Sequence, residues 1–182
     1  MLQNGQFRLR MAGTEDLPFI TKVRTSEHVQ QNVGIVLFTN EEKQKQWMEK
    51  VSNDPTQLYA IFEKQEGDHW IQLGYTRLTD IDYKNRGMCV GGDIAEEHAG
   101  KGYGKELYKL ILKLGFDTWS MHRLWLLVLE KNERARKLYT KMGFIDEGVR
   151  REAIFKNGKY ENYIIMGILE DEYRSTINDT TV

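Results

Sequence analysis

The strongest constraint on the fold is an uninterrupted apolar run over residues 124–129, which stands between two amphipathic helices. A strand that lacks polar alternation is typical of a sheet covered on both faces. The preceding helix, predicted from about residue 104 to 120, gathers its apolar side chains on one face at Leu107, Leu110, Ile111 and Leu114. Asn132 is predicted to cap the following helix and Gly143 to end it. A buried strand between two such helices predicts an α/β domain.

The segments around this unit predict the rest of the sheet. Apolar and alternating stretches predict strands over residues 6–10, 58–63, 71–78, 86–94, 144–149 and 160–168. Turns are predicted at 65–68 and at Asn157-Gly158. Helices are predicted from a cap at Thr14 to Arg24 and from a capping box over 39–42 to about residue 53. The segment 28–38 between them is interpreted as a loop, with a helical turn as the alternative. Early antiparallel strands followed by alternating strands and helices predict a mixed sheet flanked by helices.

Composition limits the classes of function. The 182 residues carry 26 Lys plus Arg and 27 Asp plus Glu, so no overall basic field attracts nucleic acid or an anionic membrane. The single cysteine, Cys89, excludes an internal disulfide and a Cys-based zinc site, and no metal is expected. Without a signal peptide or a transmembrane run, we expect a cytoplasmic protein. One domain is expected over residues 1–174, followed by a frayed tail over 175–182.

Three glycines at alternate positions, Gly100, Gly102 and Gly104, lie between a predicted strand and the start of an amphipathic helix. Glycine permits positive φ and close approach to a ligand, and a helix N-terminus supplies unpaired N–H groups. Together they suit a phosphate or pyrophosphate, and Lys101 and Lys105 add positive charge. The spacing fits neither a Walker loop nor a Rossmann fingerprint. The alternative is a turn that only connects strand to helix.

Gly91-Gly92 interrupts the predicted strand over 86–94. Glycine within a strand marks a bulge or a close approach. A bulged strand that splays from its neighbour leaves N–H and C=O groups free to pair with an extended ligand that carries amides. The alternative is a packing glycine without a ligand. Together with the glycine turn, the pair predicts a pyrophosphate with an amide arm, which is the build of coenzyme A.

Three motifs support a common interpretation. The turn Ala99–Gly104 is similar to the loop Q/R-x-x-G-x-G/A except at its first position. The stretch 132–144 is similar to the signature N-x-x-A-x-x-L-Y…G-F, and residues 148–152 with 157–160 form a third match. These motifs resemble the GNAT superfamily, the GCN5-related N-acetyltransferases. The third match is similar to the branch that acetylates ribosomal-protein N-termini, polyamines and amino sugars.

The resemblance implies a single GNAT-like domain with a splayed central strand pair, and an acetyl-CoA-dependent transferase in which an amine attacks directly. The Ile94 N–H is the candidate oxyanion donor, and Tyr139 is placed as the general acid for the leaving thiolate. From the residues alone, Tyr139 also fits a core position on the apolar stripe. The resemblance implies that acetyl-CoA binds to Asp93, Ile94, Ala99, Gly100, Lys101, Gly102, Tyr103, Gly104, Lys105, Asn132, Lys137 and Tyr139.

The sequence does not define the general base. Leu127 stands where some relatives carry a glutamate, so that assignment fails to carry over. Asp93, Glu96 and Glu130 remain candidates. His98 is a loop residue within reach of the site.

The acceptor is expected to be a small-molecule amine or a peptide, and a homodimer is possible. Residues 79–86 are most similar to acetyltransferases of nucleotide-linked 4-amino sugars, with protein N-termini and polyamines as alternatives. A polyamine site should be rich in acids, whereas a nucleotide-sugar site should show Arg or Lys. The acids available for a polyamine are Asp80, Asp82, Glu96 and Glu97.

Two further hypotheses come from other classes. Ala99 and Leu127, which depart from the family pattern, motivate a non-catalytic CoA-binding module. An ordinary nucleotide-binding domain is the third hypothesis.

Overall fold

A central sheet of eight strands organises the computed structural model, which describes residues 1–33 and 39–178. The strands are β1 Leu2–Asn4, β2 Phe7–Met11, β3 Leu58–Glu66, β4 His69–Asp82, β5 Gly87–Ile94, β6 Arg123–Leu129, β7 Ile145–Lys156 and β8 Lys159–Leu169. Their order is β1-β2-β3-β4-β5-β6-β8-β7. Neighbours pair antiparallel, except that β5 and β6 are parallel. The predicted single-domain α/β fold with a mixed, mostly antiparallel sheet is confirmed.

Helices cover both faces of this sheet. They are α1 Leu17–Thr25, α2 Glu27–Gln30, α3 Glu41–Ser52, α4 Tyr103–Leu112, α5 Glu133–Lys141 and α6 Glu170–Asn178. Short 3-10 turns occupy Thr14–Asp16 and Glu96–His98, and a π-helical segment Lys113–Thr118 continues α4. Within residues 1–33 and 39–178, no helix has the length and apolar character needed to cross a membrane.

The core is divided by the sheet into two clusters. Successive residues of a strand point to opposite faces, so Ile61 and Phe62 on β3 belong to different clusters. Phe62 faces α4, whose buried side chains include Leu107 and Ile111. Ile61 faces the smaller cluster with α1, α2 and α3. Burying a side chain of this size stabilises the fold by about 1.5–3 kcal/mol, so both faces hold the sheet in place.

The parallel pair at the centre of the sheet separates after three residues. Gly87, Met88 and Cys89 pair with residues 123–125 of β6, and the pairing then ends. β5 nevertheless continues beside β4 as far as Ile94, and β6 continues beside β8 as far as Leu129. The facing edges of β5 and β6 are therefore open beyond Cys89, which confirms the predicted splayed strand pair.

Gly91 and Gly92 do not form the predicted bulge. Both pair in regular register with β4, and the irregularity lies farther along, between Thr79 and Asp82. Close approach explains the two glycines instead. A Cβ at Gly91 would lie 2.9 Å from Cζ of Arg77, and one at Gly92 would lie 2.7 Å from a methyl group of Leu107.

Two predicted helix caps are wrong. Thr14 lies inside the 3-10 turn, and Asp16 accepts a hydrogen bond from the Gly13 N–H (2.9 Å) just before α1 begins. Asn40, not Thr39, caps α3, because its side chain accepts from the Lys43 N–H at 2.9 Å. At α3 the neighbouring Asn40 supplies the oxygen that the sequence prediction assigned to threonine, whereas α1 begins after Asp16 without a side-chain cap.

Other differences concern elements with weak apolar patterns. The short strand β1 and the polar helix α6 were not predicted. β7 extends to Lys156, beyond the predicted end at residue 149; this part was missed because an exposed edge strand has no apolar alternation. The helix predicted over 104–120 becomes π-helical from Lys113. There Gly115 permits close packing, since a Cβ would lie 2.9 Å from side-chain atoms of Leu124 and Met88.

The remaining predictions concern turns and ends. Asn157-Gly158 forms the hairpin turn with φ of 50° and 78°, and Gly143 follows α5 with φ of 93°, so both predictions are confirmed. α2 is the helical turn that the prediction for residues 28–38 allowed, although it begins one residue earlier; residues 34–38 lie outside the described residues. The boundary at residue 174 stays a prediction. α6 runs across it to Asn178, and 179–182 lie outside the described residues.

Candidate active site

A cavity of about 790 Å³ lies where β5 and β6 separate. It brings together four parts of the chain: the glycine turn with the start of α4, the open strand edges, α5 with its cap, and the segment that includes α1 and α2. Splaying of the parallel pair creates the space, because the facing backbone groups no longer pair across the sheet. Ligands of open α/β sheets commonly bind at such a discontinuity beyond the strand ends.

The glycine turn has the backbone conformation that the sequence predicts. Gly100 and Gly102 have φ of 81° and 82°, and Gly102 directly precedes α4. A Cβ at either position would meet nothing within 4 Å, so positive φ, rather than crowding, favours glycine. The Lys105 N–H donates to the Gly102 carbonyl (3.0 Å), while a helix start leaves its first N–H groups without intrahelical partners. The turn therefore suits an anionic diphosphate.

Most predicted cofactor-binding residues line this cavity. They are Asp93, Ile94, Ala99, Gly100, Gly102, Tyr103, Gly104, Lys105, Asn132 and Tyr139. Lys101 is exposed and is not among the lining residues. Lys137 is also outside the cavity, where its ammonium group lies 3.4 Å from Glu133 and both side chains are 75% exposed. The structure thus does not bring these two lysines to the cavity.

The Ile94 amide faces the open strand edge. Ala95, directly after β5, donates its N–H to the carbonyl of Leu73 in β4 at 2.9 Å. Successive N–H groups of a strand point to opposite sides, so the Ile94 N–H points away from β4 and toward the gap left by β6. This orientation is the one that an oxyanion donor in the cavity requires.

The position of Tyr139 is compatible with both roles that the sequence left open. Its ring packs against Tyr108 and Phe144, with centroid distances of 4.9 and 6.1 Å, and it also lines the cavity. Burial raises the pKa of Tyr139 above its ordinary value of 10, so the phenol is protonated at neutral pH. Nearby, Asn132 caps α5 by accepting from the Ala135 N–H at 3.1 Å and lines the same cavity.

Sequence reasoning missed a polar network on β4 and β5. Asp93 accepts hydrogen bonds from the Tyr75 hydroxyl (2.8 Å) and from Nη1 of Arg77 (2.7 Å). Burial raises the pKa of Tyr75 well above 10. Burial lowers the pKa of Arg77, but the Asp93 carboxylate together with Tyr75, Tyr108 and Tyr59 outweighs this effect and leaves that pKa raised. The sequence signal that could have found this network is Arg77, a charged residue inside the strand predicted over 71–78.

Arg24 was also missed as a site residue. It projects from α1 to line the cavity, and its guanidinium carbon lies 4.6 Å from the ring centre of Trp47. Trp47 meets Tyr59 edge to face at 4.8 Å, and Tyr59 stacks on Tyr75 at 6.3 Å. Burial raises the pKa of Tyr59. These side chains come from α1, α3, β3 and β4, so no local sequence pattern connects them.

The three candidate bases differ in their position relative to the cavity. Asp93 lines the cavity, whereas Glu96 and Glu130 are not among its lining residues, and Glu130 instead accepts from the Asn162 side chain at 2.8 Å. Leu127 also lines the cavity, and its side chain has no group that could act as a base. His98 lines it near the glycine turn.

Comparison with known proteins identifies the class to which this fold and site belong. A family model described as "Acetyltransferase (GNAT) domain" matches residues 6–145. The chain belongs to the GNAT family of acetyltransferases. The expectation from its three motifs is confirmed, and the chain is an acetyl-CoA-dependent N-acetyltransferase. Family membership contradicts the hypothesis of an ordinary nucleotide-binding domain.

Relatives extend over nearly the whole chain. A spermidine N(1)-acetyltransferase of Vibrio cholerae is 27% identical over 170 residues, which are 93% of this chain and 96% of that protein. The Escherichia coli K12 spermidine N(1)-acetyltransferase is 33% identical over 102 residues, 56% of this chain and 55% of that protein. A crystal structure of the Vibrio cholerae spermidine N-acetyltransferase in complex with CoA and spermine has a TM-score of 0.88 at 27% identity, covering 94% and 99% of the two chains.

Proposed function

We propose that this chain transfers the acetyl group of acetyl-CoA to a primary amine of a small molecule by direct attack in a ternary complex. The observation that carries the proposal is the continuity of the cavity. The same 790 Å³ space is lined by the glycine turn, the open edge at Ile94, Tyr139 and the polar groups around Asp93. Both substrates thus have a place in one space, and proximity of this kind supplies much of the rate of group transfer.

The proposed reaction follows from these groups. The neutral amine nitrogen attacks the thioester carbonyl, and the carbonyl oxygen takes negative charge that the Ile94 N–H stabilises. The C–N bond forms and the C–S bond breaks. Tyr139 gives its proton to the leaving thiolate, and its raised pKa keeps that proton available at neutral pH. The amine proton passes to a base, for which Asp93 is the carboxylate on the cavity wall.

The acceptor is proposed at the level of two classes. The sequence favours a nucleotide-linked amino sugar, whereas the relatives named as spermidine acetyltransferases favour a polyamine. The positions of the acidic residues bear on the choice between these two classes. Asp80, Asp82, Glu96 and Glu97, the acids expected to serve a polyamine, are exposed and are not among the lining residues of the cavity. Asp82 binds Asn85, and Glu97 pairs with Lys22 at 2.7 Å.

The direct test is release of free CoA thiol from acetyl-CoA, measured with a thiol-reactive dye. Purified full-length chain is mixed with acetyl-CoA and, in parallel, with a nucleotide-linked amino sugar, spermidine, or a peptide with a free N-terminus. We expect thiol release that depends on the amine and stays at background with acetyl-CoA alone. Mass spectrometry of the product should show a gain of one acetyl group on nitrogen.

Binding measured separately distinguishes the alternatives. Stabilisation against heat by CoA reports binding without chemistry. A protein that CoA stabilises but that acetylates no amine in the panel would contradict the proposal and support the non-catalytic CoA-binding module. A protein that CoA does not stabilise would contradict the assignment of the glycine turn.

A further inference from the structure

The cavity wall around Arg24, Arg77 and Asp93 carries more positive than negative charge. In the part of the chain that the structure describes, Asp93 is the only carboxylate among the lining residues, while Arg24 and Arg77 bring two guanidinium groups to its side of the cavity. Residues 34–38, next to this segment in sequence, contain neither acidic nor basic residues. A cation with several charges would meet a net positive wall here.

Asp93 is already engaged within the protein. Its Oδ2 accepts from Tyr75 and from Arg77, and its side chain is 15% exposed. A bound amine would compete with both donors for this carboxylate. The ion pair of Asp93 with Arg77 therefore has no net charge. Arg24 is the remaining charge on this wall, and no carboxylate of the described residues balances it.

Arg24 has a donor without a partner. Its Nη1 is inaccessible to solvent and makes no hydrogen bond to any of the described residues. The Trp47 ring covers one face of the guanidinium but accepts no strong hydrogen bond. Buried donors are nearly always paired in folded proteins, and leaving one unpaired is costly. A ligand acceptor that bound beside this guanidinium would supply the missing partner.

We propose that Arg24 is a specificity residue that binds an anionic oxygen, a carboxylate or a phosphate, carried by the acceptor amine. This inference rests on the proposed acetyl transfer and names the chemical class of its substrate. Guanidinium groups bind both anions through paired N–H donors, and stacking on Trp47 orients the group. The acceptor is thus a small molecule with an amine at one end and a negative charge at the other.

The test uses amines of similar length that differ at the far end. Thiol release from acetyl-CoA is measured with 6-aminohexanoate for the carboxylate arm, 3-aminopropyl phosphate for the phosphate arm, and 1-pentylamine, 1,5-diaminopentane and spermidine as comparators. We expect kcat/KM at least tenfold higher for one anionic amine than for 1-pentylamine. Preference for spermidine or the diamine over both anionic amines overturns the proposal.

The matched variants are Arg24→Gln, Arg24→Lys and Lys22→Gln. Lys22 lies on the same helix but pairs with Glu97 and does not line the cavity. Arg24→Gln should raise KM for the preferred anionic amine at least tenfold and leave KM for acetyl-CoA and turnover of 1-pentylamine within twofold. Arg24→Lys should recover part of the loss, and Lys22→Gln should match the wild type. Equal loss with every amine would instead indicate a structural role for Arg24.

A binding measurement separates this inference from the proposed function. Calorimetric titration of 6-aminohexanoate and 3-aminopropyl phosphate into the CoA complex requires no turnover. If no amine is acetylated but one anionic amine binds wild type and not Arg24→Gln, the proposed function fails and the anion site stands. If amines are acetylated but neither anionic amine binds more weakly to Arg24→Gln, the anion site fails alone.

Discussion

Replacing Tyr139 by phenylalanine removes the proposed acid and little else. The hydroxyl lies at the cavity wall, and the ring contacts with Tyr108 and Phe144, at 4.9 and 6.1 Å, remain. One lost hydrogen-bonding group costs about 0.5–1.5 kcal/mol of folding stability, so the variant should fold. Loss of one general acid typically costs about 10²–10⁴-fold in rate. We expect kcat to fall by about 10²–10³-fold, equivalent to about 2.7–4.1 kcal/mol in the activation free energy.

The assay is steady-state thiol release at saturating acetyl-CoA and amine, with CoA affinity measured in parallel. KM for acetyl-CoA should change less than threefold, because the phenol acts on the leaving group and not on the diphosphate. Tyr173→Phe is the matched control, since it removes the hydroxyl of a buried phenol that does not line the cavity, and it should lose less than fivefold. Full turnover in Tyr139→Phe, or an equal loss in both variants, would refute the acid assignment.

Two further predictions concern stability and cofactor binding. Asp16 is 2% exposed, and although burial raises its pKa, its interactions with Arg10, Gly13 and Gln72 together outweigh this and hold that pKa below 3.8. The contribution of the ionised Asp16 carboxylate to folding stability is therefore complete above about pH 4 and is lost as pH falls through the lowered pKa. Urea titrations should show that Asp16→Asn is about 3 kcal/mol less stable than the wild type at pH 7. On acidification the variant should lose less further stability than the wild type. Lys105→Ala should raise KM for acetyl-CoA about fivefold, whereas Lys137→Ala, whose side chain lies outside the cavity, should leave it unchanged.

The parts of the fold that the sequence predicted share one property, a strong local pattern. The stripe at Leu107 and Ile111, the apolar run of β6 and the Asn157-Gly158 turn each determine their structure within a few residues. The open strand pair was predicted for a partly wrong reason, because the glycines at 91 and 92 serve close packing and do not bulge. Elements without such patterns, such as the exposed strand β7, had boundaries that only tertiary structure defines.

The same distinction applies to the site. The proposed cofactor end is centred on one contiguous turn, so its glycines were recognisable; of the predicted cofactor-binding residues, only Lys101 and Lys137 lie away from the cavity. The proposed acceptor end is assembled from side chains far apart in sequence, among them Arg24, Tyr59 and Arg77. Each is an ordinary residue of its own helix or strand. Their shared role follows from the way α1 and α3 pack on the sheet, which no local pattern encodes.

Gly91 lies on β5 against the Arg77 side chain, two residues before Asp93, and this position allows a final prediction. A Cβ there would lie 2.9 Å from Cζ of Arg77, at the end of a flexible side chain that moves without disrupting the sheet. Gly91→Ala should therefore change the free energy of unfolding by less than about 1 kcal/mol, yet displace the guanidinium from Asp93. Because Asp93 immediately precedes the Ile94 amide, both the acceptor wall and the oxyanion donor should be disturbed, and kcat/KM should fall about tenfold, or about 1.4 kcal/mol.

The control for this prediction is Gly148→Ala on β7, where a Cβ would meet nothing within 4 Å. That variant should keep wild-type kcat/KM and stability. A second comparison combines Gly91→Ala with Arg77→Gln: if the alanine acts by moving the guanidinium, the double variant should be no slower than Arg77→Gln alone, since coupled sites are not additive. Additive losses, or a Gly91→Ala enzyme as active as wild type, would show that the Arg77–Asp93 pair does not support catalysis through this glycine.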